Sequence, residues 1–460
     1  MAVSKIFMSK QKKETLETNE ANEKQEVSSS NAENEKKLLF IDLYLDWLSE
    51  KGYLPIVSVS VIRPVGPSSM NRGENGEQKV ITYGNVPRMI WSSHSKLRPM
   101  RKQMDYIHTS IVNRVISDKV RERRPDLPEK VYIFIKETLD GMFKSKMLSL
   151  SVYEIREMCD LTVDYIDSIE IGWITEYSGD MYEKEKDRHK AKVQKKIKDA
   201  MGKTAFERRT GRWLSDMGRL CTDNEIRTIY GAVFVAPAMS VTPYRRESDF
   251  HAASDDYMDG LRDLVGDPYI HGGASHLGDE DMNAAIMLEF YARNSRMFVR
   301  NMMQMYDPYK DDDWEEVLKM SDENNALFFD MFLKILPEGG QHKKLTMPNP
   351  SAVYIRSSNE MPYTADGLYS YPCLSANPAK EACDRLANFA MDSTFESTYL
   401  KQKKYWISDR NMGEYEFGDK VQKVDSVSQM MDIFLSRDYL LGDKREVKEL
   451  VSSCRNEAGK

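Results

Sequence analysis

An acid-free run of cations and hydroxyls is the part of this sequence best suited to binding an anion. Between Arg88 and Lys102 the chain has several Lys and Arg residues but no Asp or Glu, and Ser92, Ser93 and His94 lie among the cations. Hydroxyl groups, guanidinium groups and the backbone N–H groups at the start of a helix all bind phosphate oxygens. The composition of this run therefore predicts a surface that holds the phosphates of a polyanion.

A helix, with a strand and a loop before it, must position this run. The run has a helical pattern with Ser92 or Ser93 as the N-cap, although Pro99 should kink the helix or delay its start. Upstream, the β-branched segment LPIVSVSVIRPV (Leu54–Val65) predicts a strand that ends at Pro64 and the Gly-Pro turn after it. A loop rich in Asn and Gly then leads towards the helix.

Charge is unevenly distributed along a chain whose formal net charge is -7. Arg63–Arg124 contains 13 Lys or Arg against 5 Asp or Glu, and Lys184–Arg219 has the same counts, whereas acids are concentrated in segments such as Asp311–Glu316. This distribution excludes a uniformly basic nucleic-acid binder and favours a local groove for a polyanion. For the second basic island, a solvated helix face with local ion pairs is an equally good interpretation.

Length and patterning bound the architecture. The 460 residues are 41% hydrophobic, which is enough for two or three domains. Residues 1–37 are mostly Glu, Lys, Asn and Ser and predict a disordered extension, whereas residues 107–205 have a mainly helical pattern. Because strand-like segments lie far apart on both sides of this block, we expect an α+β fold interrupted by a helical insertion.

Cysteine usage and the apolar runs indicate a compartment. The five Cys residues are scattered without a CxxC pair, which favours free thiols in a reducing cytosol. No apolar run approaches the roughly 18 residues of a membrane helix, and the polar N-terminus does not resemble a signal peptide. We therefore expect a cytoplasmic protein without a membrane partner.

The segment around the acid-free run resembles the signature of a known family. MNRGENGEQKVITYGNVPRMIWSSHSKLRPMR is similar to the Cascade backbone subunit, the CasC family of type I-E CRISPR effectors. That family has a strand, an L-N-R loop, Q-K, F-G-G and a stretch R-I-S-S-Q-S-L-K-R-A-M-R. The residues that fall in step without a gap are Met70-Asn71-Arg72, Gln78-Lys79, Tyr83-Gly84, Arg88, Ser92-Ser93-His94-Ser95, Arg98, Met100 and Arg101.

Two later blocks resemble the same family, in the same order and spacing. The segment from Glu247 to Met302 is similar to D-W-F-T-A-V-D-D followed by G-A-x-H-L-G-T-Q-E-F-x-S-A-x-F-Y-R-Y-A-x-I. Its matching residues are Phe250, Asp255, Gly273, His276, Leu277, Gly278, Phe290, Tyr291 and Ala292. GGQHKKLTMPNPSAVYIRSS is similar to G-x-K-x-T-x-A-x-N-P-x-x-V.

The resemblance implies a fold and a function. The fold would be a hand-shaped α+β structure with an RRM-like (ferredoxin-like) palm, a helical fingers insertion and a thumb. Residues 38–106 would hold an N-terminal helix and the first part of the palm, residues 107–205 the fingers, residues 206–260 the thumb and a palm strand, and residues 261–460 the rest of the palm and a C-terminal helix.

The implied function is structural rather than enzymatic. Several copies would line up head to tail along one CRISPR RNA, hold its phosphate backbone, and present its bases for pairing with target DNA. The partners would be the guide RNA, copies of the chain and other Cascade subunits, in the cytoplasm of a prokaryote. The resemblance implies no catalytic residue, metal or cofactor.

Matched positions suggest which residues bind the RNA. Trp213, in TGRWLSDM, matches a stacking Met of the family's thumb element F-G-R-M, and Phe250 would be its aromatic companion. Apolar rings are suited to capping a broken base stack, although both rings could equally belong to an ordinary core. The residues expected at the guide phosphates are Arg72, Lys79, Arg88, Ser92, Ser93, His94, Lys96, Arg98 and Arg101.

The sequence departs from the family at three of these places. His94 replaces a Gln, Asn85 replaces a Gly, and Leu97 stands where the family has a Lys, with Lys96 beside it. A cation moved by one residue along a helix is turned by about 100°. The orientation of Lys96 therefore depends on how the helix packs.

Two other functions fit parts of the sequence. His271, His276, Asp279 and Asp281 could serve a metal-dependent phosphohydrolase or RNase, although neither an HExxH motif nor a paired HD motif is present. The basic islands would also suit a nucleic-acid-coating assembly protein of a mobile element, but that interpretation does not account for the three matched blocks.

Overall fold

A computed structural model describes residues 35–74, 76–104, 106–108, 111–143, 149–203, 208–219, 228–254, 274–338 and 346–437. The strands are β1 (Ile56–Ser68), β2 (Val80–Tyr83), β3 (Val86–Trp91), β4 (Tyr106–His108), β5 (Ser149–Ser151), β6 (Val233–Val235), β7 (Ala238–Ser240), β8 (Glu247–Ser254), β9 (Ala274–Asn294), β10 (Ala352–Ser358), β11 (Gln402–Ser408) and β12 (Gln422–Lys423). The helices are α1 (residues 35–50), α2 (Ser93–Arg101), α3 (Val112–Arg123), α4 (Glu129–Leu139), α5 (Val152–Asp167), α6 (Gly172–Glu176), α7 (Gly179–Lys203), α8 (Arg208–Met217), α9 (Ser295–Met303), α10 (Asp311–Lys334), α11 (Pro378–Met391) and α12 (Val427–Leu435).

One large mixed sheet organises the described part of the chain. Its strand order is β12-β11-β10-β1-β9-β7-β3-β2, and β6 and β8 also pair with β9. The β11–β12 pair is parallel, whereas the other pairs are antiparallel. The expected α+β class is confirmed, while the RRM-like palm, the fingers and the thumb stay predictions.

The central strand β1 runs further than its sequence suggests. We expected it to end at Pro64, but its pairing with β9 continues to Ser68 through an irregularity after Val65. Pairing with β10 on the other side ends at Ile62. Pro64 therefore lies where β1 has one neighbour only, which is where a strand tolerates the missing N–H group.

The sheet is buried on both faces. Alternate residues of β1, among them Val57, Val59 and Val61, pack on one side in a core that includes Phe328 and Phe332 of α10. On the other side, residues of the same sheet pack against α11, whose buried positions are Ala382, Cys383, Leu386, Ala387 and Ala390. Burial on both faces explains why β1 and β10 contain so few exposed positions.

Helices α3 to α7 form a separate cluster. Their apolar side chains build a core of their own, with Val131, Ile135 and Ile155 in its interior. The cluster is attached to the segment after α8 by a buried ion pair between Glu154 and Arg219, with an N–O distance of 2.6 Å. The proposed domain boundaries around this cluster stay predictions.

Helix α1 begins earlier than the sequence suggests. We placed a disordered extension at residues 1–37, but residues 35–37 already belong to α1. The Lys37 amine donates a hydrogen bond to the main-chain carbonyl of Gln304 (3.0 Å), which anchors this end of the helix. Residues 1–34 lie outside the described part of the chain.

A buried carboxylate joins the sheet to α2. Glu289 of β9 is inaccessible to solvent and accepts hydrogen bonds from Arg63 Nε (2.5 Å), Tyr291 Oη (2.5 Å) and Lys96 Nζ. Arg63 also donates to the main-chain carbonyl of Pro348 (2.8 Å). Burial raises the pKa of the Glu289 carboxyl, and the Arg63 guanidinium acts in the opposite direction. A single acid thus compensates two buried cations.

We predict that Glu289→Ala is strongly destabilising. The substitution leaves Arg63 and Lys96 buried without a counter-charge, and breaking a buried ion pair in this way costs about 3–5 kcal/mol. Urea denaturation followed by circular dichroism measures the loss. Glu315→Ala, at an exposed position on α10, is the matched control and should change the free energy of unfolding by less than about 0.5 kcal/mol. Equal effects of the two substitutions would contradict the prediction.

Candidate nucleic-acid interface

The start of α2 has the features of an anion site. Ser92 is the N-cap, in an extended conformation, and its Oγ accepts a hydrogen bond from the backbone N–H of Ser95 (3.3 Å). The first turn contains no acidic residue. The positive end of the helix is therefore not neutralised by a carboxylate of its own first turn. The prediction of an N-cap at Ser92 is confirmed.

The loop after β1 is fixed against this helix start. Asn71 has a positive φ of 58°, and its Nδ2 donates to the carbonyl of Ile90 (2.9 Å). Its Oδ1 accepts from Ser92 Oγ (3.3 Å). The backbone of Lys79 is bonded on both sides, with its N–H 3.4 Å from the carbonyl of Asn71 and its carbonyl 3.0 Å from the N–H of Ile90. These bonds hold the loop that contains Arg72 and Lys79 against the start of the helix at Ser92.

The two faces of α2 have opposite roles. His94 and Arg98 are exposed and Arg101 is half-buried, and the spacing of i, i+4 and i+7 places them on one side of the helix. Pro99 and Met100 are buried on the other side. The helix begins at Ser93, so Pro99 does not delay its start. Pro99 lies inside the helix, two residues before its end at Arg101. The outward side is a cationic stripe next to the anion site.

Arg88 is buried, contrary to the expectation that it contacts a guide phosphate. Its side chain is 0% exposed, and its guanidinium donates to the carbonyls of Val241 (2.6 Å) and Tyr369 (3.0 Å). The cause is the β2–β3 hairpin, which packs against residues 366–370. At its tip Gly84 has a φ of +60°, and a Cβ there would lie 1.6 Å from the carbonyl oxygen of Ser370. Arg88 therefore anchors the hairpin and is not available to a phosphate.

Lys96 is also buried, contrary to the expectation that it contacts a guide phosphate. It is 0% exposed and bonded to Glu289, and its amine lies 4.4 Å from the ring centre of Tyr291. Burial lowers the pKa of the Lys96 amine, and the nearby Arg63 lowers it further. Leu97, at the position of the family's Lys, packs against the sheet core. Lys96 therefore lies in the interior and is not available to a phosphate.

The two expected wedge residues lie in different surroundings. Trp213 packs against the sheet core, with its ring 6.4 Å from that of Phe328. Helix α8 is held there by Asp216, which is fully buried and accepts from Arg293 Nε (2.7 Å). Trp213 is half-buried, which favours the core interpretation that its sequence left open, and its role as a wedge stays a prediction. Phe250, by contrast, is 68% exposed on β8.

Sequence reasoning missed two cations near the anion site. Arg245 and Arg246 are exposed at the base of the β8–β9 hairpin, and Arg246 lies 3.4 Å from Glu77 of the loop before β2. They are separated by more than a hundred residues from that loop, and neither lies in the two basic islands. The only local signal is the pair of Arg residues just before the second matched block.

The alternative metal cluster cannot be assigned a geometry. The side chains of His271, His276, Asp279 and Asp281 lie outside those that the structure describes. Among the described residues, no group of three or more His, Cys, Asp or Glu side chains could hold a metal ion. Likewise, no helix within the described segments is long and apolar enough to cross a membrane.

The family model of CT1975-like proteins, a Cas family, matches residues 57–432. The chain belongs to this family. The expectation of a Cas protein is confirmed, whereas the narrower assignment to the CasC family of type I-E systems stays a prediction. No curated protein matches the sequence.

Solved structures place the CT1975-like protein in a known fold. It is similar to a chain of a "CRISPR RNA-guided surveillance complex, pre-nicking", with a TM-score of 0.62 and 17% identity over 83% of this chain and 99% of that chain. A chain of a second "CRISPR RNA-guided surveillance complex" matches with a TM-score of 0.45 and 15% identity, over 83% of this chain and 98% of that chain. At such identities the first likeness shows a shared fold.

We predict that the left-handed backbone at Asn71 is essential to the anion site of this CT1975-like protein. Asn71→Gly removes the two side-chain hydrogen bonds but tolerates positive φ, whereas Asn71→Ala adds the cost of a left-handed conformation, about 1–2 kcal/mol. Urea denaturation should therefore rank the alanine variant below the glycine variant, with both below the wild type. An alanine variant as stable as the glycine variant would show that the backbone does not hold this conformation.

Proposed function

We propose that this CT1975-like protein is the backbone subunit of a type I CRISPR RNA-guided surveillance complex, similar to the CasC family of type I-E systems. It holds the guide RNA along its phosphates and leaves the bases free to pair with target DNA. Other Cascade subunits complete the complex. The protein acts by positioning the RNA, without catalysis.

The observation that carries this proposal is the group of cations and hydrogen-bond donors around the start of α2, whose first turn contains no acid. Ser92, Asn71 and Lys79 are bonded to one another's backbone or side chains, which fixes the helix end and the loop in one geometry. His94 and Arg98 then extend the charge along the helix. A rigid row of donors suits a repeating phosphate chain, because phosphate contacts position a strand without selecting a sequence.

The palm, fingers and thumb would each correspond to a group of the described strands and helices. The large sheet with α2 on one face would be the RRM-like palm, and the helical cluster of α3 to α7 would be the fingers. The paired strands β8 and β9 would supply the thumb, since β9 is 21 residues long and only its second half pairs with β1. Phe250, exposed on this hairpin, would be the wedge that caps a broken base stack.

Charge reversal on α2 should weaken binding of single-stranded RNA. In Arg98→Glu with Arg101→Glu, two phosphate contacts are lost, and the slope of log K against log salt should become shallower by roughly 1.4. Fluorescence anisotropy with a labelled RNA at several salt concentrations measures both quantities. The matched control is Lys310→Glu with Lys319→Glu at the acidic end of α10, which changes the net charge equally. If the α2 variant keeps the wild-type affinity and slope, the groove lies elsewhere.

Assembly provides the second test of the proposal. A protein that binds phosphates without reading bases has no sequence-based reason to stop at one copy, and a head-to-tail contact propagates along the RNA instead of closing as a dimer. Light scattering should show the mass of the complex rising in steps as the RNA is lengthened, in the presence of the partner subunits. The α2 variant should not assemble. A mass that stays at one or two subunits on every RNA would refute the backbone function.

A further inference from the structure

A cationic pocket lies at the end of the sheet where β1 begins. It has a volume of about 330 Å³ and is enclosed by the end of α1, the ends of β10 and β11, and the end of α12. Its polar lining includes Lys51, Ser357, Lys403 and Arg437. Ser357 pairs with Val57 at the start of β1. The loop of the α2 site follows the other end of this strand, roughly 36 Å away at 3.3 Å per residue. The two sites are therefore separate.

The charge of this pocket is not compensated by its own lining. Three cations line it, and no Asp or Glu does. Arg437 is held in place by Ser357 (3.0 Å) and by Asp322 just outside the pocket (3.5 Å). Among the described residues, Lys51 and Lys403 have no acidic partner. The two amines are thus available to an anion.

The main-chain carbonyls at the end of α1 accept hydrogen bonds from another lysine, and not from Lys51 or Lys403. Lys401 donates to the carbonyl of Glu50 (2.8 Å) and lies at hydrogen-bond distance from that of Ser49 (3.5 Å). The negative end of the helix is therefore covered by a third lysine. Lys51 instead lies 5.3 Å from the ring centre of Trp47, which positions its stem without consuming its hydrogen-bond donors.

The pocket also has apolar side chains. Leu48, Leu54, Tyr405 and Ile433 line it beside the cations, together with Gly52, Tyr53 and Ser436. A volume of this size lies at the lower end of the range for small-molecule sites. The combination suits a ligand with one flat apolar part and one strongly anionic part.

We infer that this pocket binds a nucleotide. The phosphate group lies between Lys51, Lys403 and Arg437, where ammonium and guanidinium groups donate charge-assisted hydrogen bonds to its oxygens. The base packs on the apolar side chains. A free nucleotide and the phosphorylated end of a nucleic acid share this chemistry. The inference goes beyond the proposed function, since it concerns a site that guide-backbone binding at α2 does not require.

Titration calorimetry with adenosine 5′-monophosphate tests the inference. The full chain carrying Arg98→Glu and Arg101→Glu serves as the background, so that binding at α2 does not contribute. We expect one bound AMP per chain, and at least tenfold weaker binding when Lys51→Glu and Lys403→Glu are added. Lys310→Glu with Lys319→Glu in the same background should leave AMP affinity unchanged. Both pocket lysines are exposed, and thermal unfolding verifies that the fold is retained.

Adenosine, a 5′-phosphorylated RNA hexamer and inorganic phosphate show which part of the ligand the pocket recognises. Adenosine should bind at least tenfold more weakly than AMP, and a 5′-phosphorylated RNA hexamer that binds more tightly than AMP would identify a nucleic-acid end as the source. A hexamer that binds no more tightly would identify the free nucleotide. Adenosine binding as tight as AMP binding, inorganic phosphate binding as tight as AMP binding, or an unchanged affinity in the pocket variant would each overturn the inference.

The pocket and the α2 site can fail independently. The pocket variant, Lys51→Glu with Lys403→Glu in the wild-type background, should retain the affinity and salt slope for single-stranded RNA. Loss of RNA binding by that variant, with AMP binding unchanged, would place the RNA groove at the pocket and overturn the nucleotide site. Failure of RNA assembly, with AMP binding intact, would overturn the backbone function and leave the pocket in place.

Discussion

One carboxylate inside the sheet neutralises cations that come from two different elements. Glu289 on β9 binds Arg63 on β1 and Lys96 on α2, all three without access to water. A charge in such a place is tolerated only with good partners, because desolvation costs several kcal/mol per ion. These contacts of Glu289 fix the register between β1 and β9 and the rotation of α2 about its axis. The geometry of the candidate anion site depends on that rotation.

Turning Lys96 inwards decides what α2 presents to solvent. With Lys96 and Met100 on the sheet, the side that carries His94 and Arg98 must face outwards, because residues three and four apart share a face. The same device fixes α8, where buried Asp216 binds Arg293. In both cases a buried ion pair fixes the orientation of a helix. The surface cations are then a consequence of the interior ones.

Local signals in the sequence determined much of the site. An N-cap at Ser92 or Ser93 follows from a hydroxyl before an acid-free helix, and strand β1 follows from its β-branched residues. Such signals act within a few residues along the chain, so one sequence is enough to read them. The α+β class and the Cas family could be reached in the same way, since the matched blocks are contiguous segments.

Only the tertiary structure decided which cations are available. Arg88 and Lys96 look like surface residues in a basic run, but packing of the β2–β3 hairpin and the acid on β9 bury both. Conversely, Arg246 joins the loop before β2 from far along the chain, and the pocket lined by Lys51, Lys403 and Arg437 brings the ends of α1, β10, β11 and α12 together. A partner for a buried charge is chosen by proximity in space, and no spacing along the chain encodes it. The sequence by itself determined that an N-capped helix without an acid in its first turn exists, and the fold determined which of its charges face the solvent.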